Sequence, residues 1–245
     1  ITASLGLLTL SLDRYGNNTE IEWVEVRPRG VEEVRPYVIG WMTLSVIFME
    51  FMFNGVLGAA VAVAGEFDRG YMRRLLSTSV RPLEMYLGKM LSVLVLNAVT
   101  STLILLWGVF AMGAKFAHGL LALETASVLA IMLDATLFSM SLGVLIGLLV
   151  RSAEAANLAA NAVIWPTMIL GGFWFPKFMM PPEIRWFADV NPFSNLMYAV
   201  VEVSCYGRPL TAYLAPMTVT AVLTGVLLAA STLLYRRRVT RMVEG

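Results

Sequence analysis

The sequence predicts an all-α integral membrane protein with six transmembrane helices, one helix in a cytoplasmic loop and short re-entrant helices on the extracellular side. Three observations predict it. Of the 245 residues 58 % are hydrophobic and 14 % charged, and the mean hydropathy is +0.73, far more apolar than a soluble domain needs to fill its core. The apolar residues come in runs long enough for a helix to cross a bilayer, which takes roughly 20 residues. Charge is confined to islands between the runs, and the basic islands fall on alternate loops.

Taken as one transmembrane domain over residues 1–245, the chain divides as follows. Residues 1–12 are apolar but too short to span, and read as the end of a truncated helix 1 whose beginning is missing. Residues 13–36 hold six acidic residues against four arginines. There E-I-E-W-V-E-V from Glu20 alternates with the period of a strand, so this is an extracellular loop or hairpin. Helix 2 covers 37–64, interrupted only by Glu50 and Asn54, and the charged cytoplasmic loop 65–89 follows. Helix 3 is 90–112 and helix 4 is 120–150. Helix 5, at 159–173, is broken by Pro166 and ended by Gly171 and Gly172. Residues 174–211 mix prolines, aromatics and a few charges, a backbone tolerated at membrane depth only where protein or a water-filled cavity surrounds it. Two short outer helices are expected there, Pro182 to Asp189 and Ser194 to Cys205, turning at Asn191-Pro192. Helix 6 is 212–235, and the basic tail 236–245 closes the chain.

Six spans put both termini on one side. The loops with Arg69 to Lys89, Arg151 and Arg236 to Arg241 carry ten of the eighteen Lys and Arg, which places them, and the termini, in the cytoplasm. The single Cys205 excludes an internal disulfide, the lone His118 argues against a histidine metal site, and a net charge of +1 gives no reason to expect nucleic acid.

In the island after Gly65, Phe67, Met72, Leu75 and Leu76 share one helical face with Arg69, Arg73 and Arg74 around its edge, and Pro82 can start a second helix. Such an amphipathic helix fits either a groove on a cytosolic partner or an anionic lipid surface. Glu50 and Asp134 are the charges deepest in the spans, and an acid there should face the protein interior. Asn54 lies one turn after Glu50, while Glu124, Ser127, Asp134 and Ser141 form a polar stripe on helix 4. Glu50, Asn54, Asp134 and Ser141 are thus candidates for a translocation path, or else polar groups bonded to neighbouring helices. Ser139, Gly143 and Gly147 recur every four residues, as do Gly55 and Ala59, a spacing that lets helices approach closely. Phe173, Trp174, Phe175, Trp186 and Phe187 suit an interfacial aromatic belt or an outer gate.

Two blocks carry a resemblance. The segment E-F-D-R-G-Y-M-R-R-L-L-S-T-S-V-R-P-L-E-M-Y-L-G-K resembles the signature of type-2 ABC transporter permeases, and G-G-F-W-F-P-K-F-M-M-P-P-E-I-R-W-F-A-D-V-N-P-F-S-N-L-M-Y-A-V resembles that family's extracellular block. Ser79 stands where the family usually has Pro, and Glu202 near a place where many members carry Arg. The resemblance implies the membrane subunit of an exporter, paired with a second copy or a close relative and with ATP-binding-cassette ATPase subunits that hold ATP and Mg. Glu66, Phe67, Arg69, Gly70, Arg73, Arg74, Leu75 and Leu76 would then form the coupling helix on the ATPase. The chain has no G-x-x-x-x-G-K-[ST] loop, so it is not expected to be an enzyme or to hold a cofactor itself. A plasma-membrane exporter of drug or lipid-like substrates is the expectation. The alternatives are polysaccharide, ion or peptide cargo, or a secondary transporter or channel with Glu50 and Asp134 as its ion relay.

Overall fold

The computed structural model describes residues 35–68, 82–116 and 124–244, and every regular element among them is helical. Helix α1 comprises Arg35–Glu50, the π-helical turns Phe51–Gly58 and Ala59–Asp68 without a break. Helix α2 comprises Pro82–Leu106 and the π-turn Trp107–Ala111. Helices α3 (Glu124–Leu149) and α4 (Ala153–Leu170) follow, then the shorter helices α5 (Pro182–Val190) and α6 (Pro192–Tyr206), and finally α7 (Leu214–Glu244).

Local chemistry sets most of these boundaries. Proline opens α2, α5 and α6, where a missing N–H costs nothing and a fixed φ suits the first turn. The Ser152 hydroxyl caps α4 by accepting from the Ala155 N–H at 3.1 Å, and the Asn191 side chain caps α6 from Ser194 at 3.2 Å. Helix α6 stops at Gly207, whose φ of 64° lies in the left-handed region that glycine enters freely.

Among the described residues, four helical stretches are long and apolar enough to cross a bilayer: Val38–Phe67, Leu87–Ala111, Ala126–Leu149 and Leu210–Arg238. Helix α4, with 18 residues and Pro166 inside, is shorter. Several helices outrun the apolar runs that announced them. Helix α1 continues to Asp68, α2 begins at Pro82 and α7 runs through the basic tail to Glu244, because Arg, Lys and Glu are good helix formers and nothing breaks the chain at the membrane edge. The strand-like residues 20–26 and the loop 69–81, with Arg69, Gly70, Arg73, Arg74, Leu75 and Leu76, lie outside the described residues.

The bundle is built around α1 and α3. Half of the apolar stretch of each is buried, against 17 % for α7 and 11 % for α2, so the last two present most of their surface outward. Helix α6 also belongs to the core: Leu196, Met197 and Val200 are fully enclosed, and Phe193 meets Phe138 of α3 edge to face at 4.9 Å.

Candidate functional site

One cluster of polar groups inside the bundle lies on the side of α1 that faces α2. Glu50 sits at the entry to the π-turns, and Asn54, four residues on, donates its amide back to Oε1. From α2, Thr100 donates to the same oxygen at 2.5 Å and Ser101 to Oε2 at 3.3 Å. Thr100 has a single proton and also lies 2.8 Å from the Leu96 carbonyl, so Glu50 competes with the helix for it. The carboxylate is therefore a clasp between two helices, with donors on both of its oxygens.

Beside this clasp lies a cavity of about 300 Å³ between α1, α2 and α3. Ile47, Phe51, Asn97 and Thr136 form its buried floor, and Ala98, Thr102, Leu129 and Leu133 its exposed mouth. Asn97 is 1 % exposed, and neither its amide nitrogen nor its oxygen has a hydrogen-bond partner.

The four path candidates do not share one lining. Glu50 and Asn54 face α2, whereas Ser141 is fully buried against α7, where Ser231 reaches its carbonyl at 3.5 Å. The Ser141 hydroxyl itself donates to Leu137 within α3. Asp134, also on α3, has one buried carboxylate oxygen without a partner.

At the Asp68 end of α1, the last turn is tied to three other helices. Glu66 pairs with Lys89 of α2 at 2.5 Å, and Lys89 also donates to the Ala62 carbonyl at 3.2 Å. Phe67 packs edge to face on Tyr235 of α7 at 5.9 Å, with the Arg238 guanidinium 4.3 Å above its ring. Arg238 in turn donates to the Leu148 carbonyl at 2.8 Å, satisfying a free carbonyl at the end of α3.

The five aromatics of the expected belt or gate divide. Phe173 is buried in the core, whereas Trp174, Phe175 and Trp186 are exposed, and Trp186 meets Phe187 edge to face at 6.0 Å. Phe173 is turned in by Gly172, whose φ of 88° brings the chain against the Tyr198 ring. The Tyr198 hydroxyl accepts the Lys177 N–H at 2.8 Å, and burial pushes its pKa up to about 12. Lys177 pairs with Asp189, and Arg185 donates to the Met180 carbonyl at 2.7 Å, so the segment between α4 and α6 is pinned from both sides. Glu202 pairs with Arg208 at 3.0 Å.

Residues 15–233 match the family model described as ABC-2 family transporter protein. The chain belongs to the ABC-2 transporter family. It is also similar to the probable multidrug ABC transporter permease YbhS of Escherichia coli strain K12, and to the protein of the same description in strain O157:H7. Each is 32 % identical over 163 residues, which cover 62 % of this chain and 42 % of the relative. The chain thus spans less than half the length of the curated relatives it matches. With its family and its long apolar helices, it is a multi-pass membrane protein of the ABC permease kind.

Within this ABC-2 chain, sequence reasoning had singled out Glu50 and Asn54 but missed Thr100, Ser101 and Asn97. The amide of Asn97 stands in the middle of an apolar run, a signal equal in kind to that of Asn54. Arg238 was visible only as one of several arginines in a basic tail, and its contact with Phe67 spans more than half the chain.

Proposed function

We propose that this ABC-2 chain is the permease subunit of an exporter in the plasma membrane, with six spans, both termini cytoplasmic and two copies or close relatives per transporter. A separate ATP-binding-cassette subunit would hold ATP and Mg and dock on the segment Glu66 to Leu76. The observation that carries the reading is the tie at the end of α1: whatever pushes on the chain beyond Asp68 pulls on α2 through Glu66 and Lys89, and on α3 and α7 through Phe67 and Arg238. A drug or lipid-like substrate is supported by the description of the similar permease as a probable multidrug one. In this reading the exposed Phe175, Trp174 and Trp186 would shape an outer gate.

The competing ion relay has less support, because both oxygens of Glu50 already accept from Asn54, Thr100 and Ser101. The test is to purify the permease with the ATPase encoded beside it, in lipid, and measure hydrolysis with and without lipophilic compounds. Stimulation that drops several-fold in Arg73→Ala or Arg238→Ala, with the assembly intact, is expected. An ATPase rate indifferent to both the compounds and the substitutions would overturn the proposal.

A further inference from the structure

The cavity between α1, α2 and α3 is lined by none of Glu50, Asn54, Asp134 and Ser141, and it touches the clasp only through Ser101. At about 300 Å³ it is at the lower end of the range of small-molecule pockets. No charged side chain lines it; its polar groups are Asn97, Ser101, Thr102 and Thr136. The three hydroxyls already donate, Ser101 to Glu50 at 3.3 Å, Thr102 to the Ala98 carbonyl at 2.7 Å and Thr136 to the Met132 carbonyl at 2.8 Å. They have only lone pairs left to offer. Asn97 is different, since it is buried with a free donor and a free acceptor side by side, an arrangement that is costly in apolar surroundings unless something completes it.

We propose that this cavity binds an uncharged amphiphile whose carboxamide-like end pairs with the Asn97 amide while its apolar body lies along Ile47, Phe51, Leu94 and Leu105. An amide supplies a donor and an acceptor in the same plane, matching Asn97 at two points, whereas an ammonium offers only donors and a carboxylate only acceptors. The ligand reaches the site from the bilayer. The mouth is exposed, and Leu91, Val95 and Leu103 of α2 are exposed apolar residues at membrane depth. An alkyl chain gains little by leaving lipid for an apolar cavity, so pairing of two otherwise unsatisfied amides decides selectivity. The site needs the chain to be in a membrane but does not depend on the export reading.

The test uses the purified permease in phosphatidylcholine nanodiscs, with dodecanamide carrying a diazirine on its chain and a dodecane carrying the same group. After irradiation, adducts are mapped by peptide mass spectrometry. The amide probe is expected to label the mouth of the cavity on α2 and α3, and to do so about tenfold less in Asn97→Leu, the loss of roughly one neutral hydrogen-bonded contact. Dodecane labelling should be equal in both proteins. Asn97→Leu removes an unpaired amide from apolar surroundings, so the variant should fold. Competition by ceramide added to the nanodisc points to a lipid as the natural ligand, and competition by a soluble N-alkyl amide points to a diffusible compound. Equal amide labelling in Asn97→Leu, or displacement by neither competitor, overturns the proposal. No ATPase enters the experiment, so its failure is distinct from failure of the exporter reading.

Discussion

The two sides of α1 are built on opposite plans. Toward α3 there is no room: a Cβ on Gly143 would stand 2.5 Å from the Gly55 carbonyl oxygen, and one on Gly147 would stand 2.5 Å from that of Ala60. Toward α2 the contact is made by side chains, those of Glu50, Thr100 and Ser101, Thr43 against Gly108, and Glu66 with Lys89, and it leaves a cavity. Backbone-to-backbone packing fixes α1 and α3 as one body, since at Gly143 and Gly147 the nearest obstacles are main-chain oxygens that cannot yield. Hydrogen-bonded side chains beside a void hold α2 more loosely, so this is the boundary at which the bundle has room to change.

The sharpest way to break the comparison is to fill the seam. Gly143→Leu should push α3 off α1 and cost about 3 kcal/mol or more, the upper end of overpacking penalties, because the obstacle is main chain. Loss of the monodisperse peak on size-exclusion chromatography would report it. Gly225→Leu is the control, since nothing lies within 4 Å of a Cβ placed there on α7. If both variants survive equally, the seam is no tighter than the outer face of α7.

Next in size is the clasp on the other side. Glu50→Leu removes the acceptor of three side chains and leaves the Asn54 amide without its partner, at an expected cost of about 1–3 kcal/mol in thermal inactivation. Glu50→Gln keeps an acceptor and should lose less than half as much. Equal loss in the two would mean that the charge, rather than the hydrogen bonds, holds α2. Smaller again is Thr100→Val, which keeps the shape and leaves Glu50 with Asn54 and Ser101, so a loss of at most about 1 kcal/mol is expected.

The two plans were not equally legible. Small residues every four positions from Ser139 to Gly147, matched by Gly55 and Ala59, announce a close helix contact, because only such residues permit one. The starts of α5 and α6 are equally plain from Pro182 and Asn191-Pro192, whose chemistry is local. The clasp was half visible. Glu50 had to face the interior, but Thr100 and Ser101 lie fifty residues away, and a hydroxyl in an apolar run resembles any other until the fold chooses its neighbour. In the sequence Phe173 groups with Trp174, Phe175, Trp186 and Phe187 because hydrophobicity is the same in a core as in a belt. Its burial follows from the turn at Gly172.

The smallest expected effect on stability belongs to Asp134, the acid that sequence reasoning had paired with Glu50. It has none of the clasp's partners, and one of its oxygens is buried with no donor facing it. A group with no partners has little to lose, so Asp134→Asn should leave thermal inactivation unchanged to within about 0.5 kcal/mol, where Glu50→Leu does not. An acid kept inside a bundle without a structural partner is a candidate for work done on a ligand, so transport per folded molecule is the second readout. Unchanged stability with several-fold slower transport would set Asp134 apart as functional and leave Glu50 structural. A stability loss as large as that of Glu50→Leu, with transport per folded molecule intact, would show that both acids hold helices together and that the α2 side owes nothing special to its clasp.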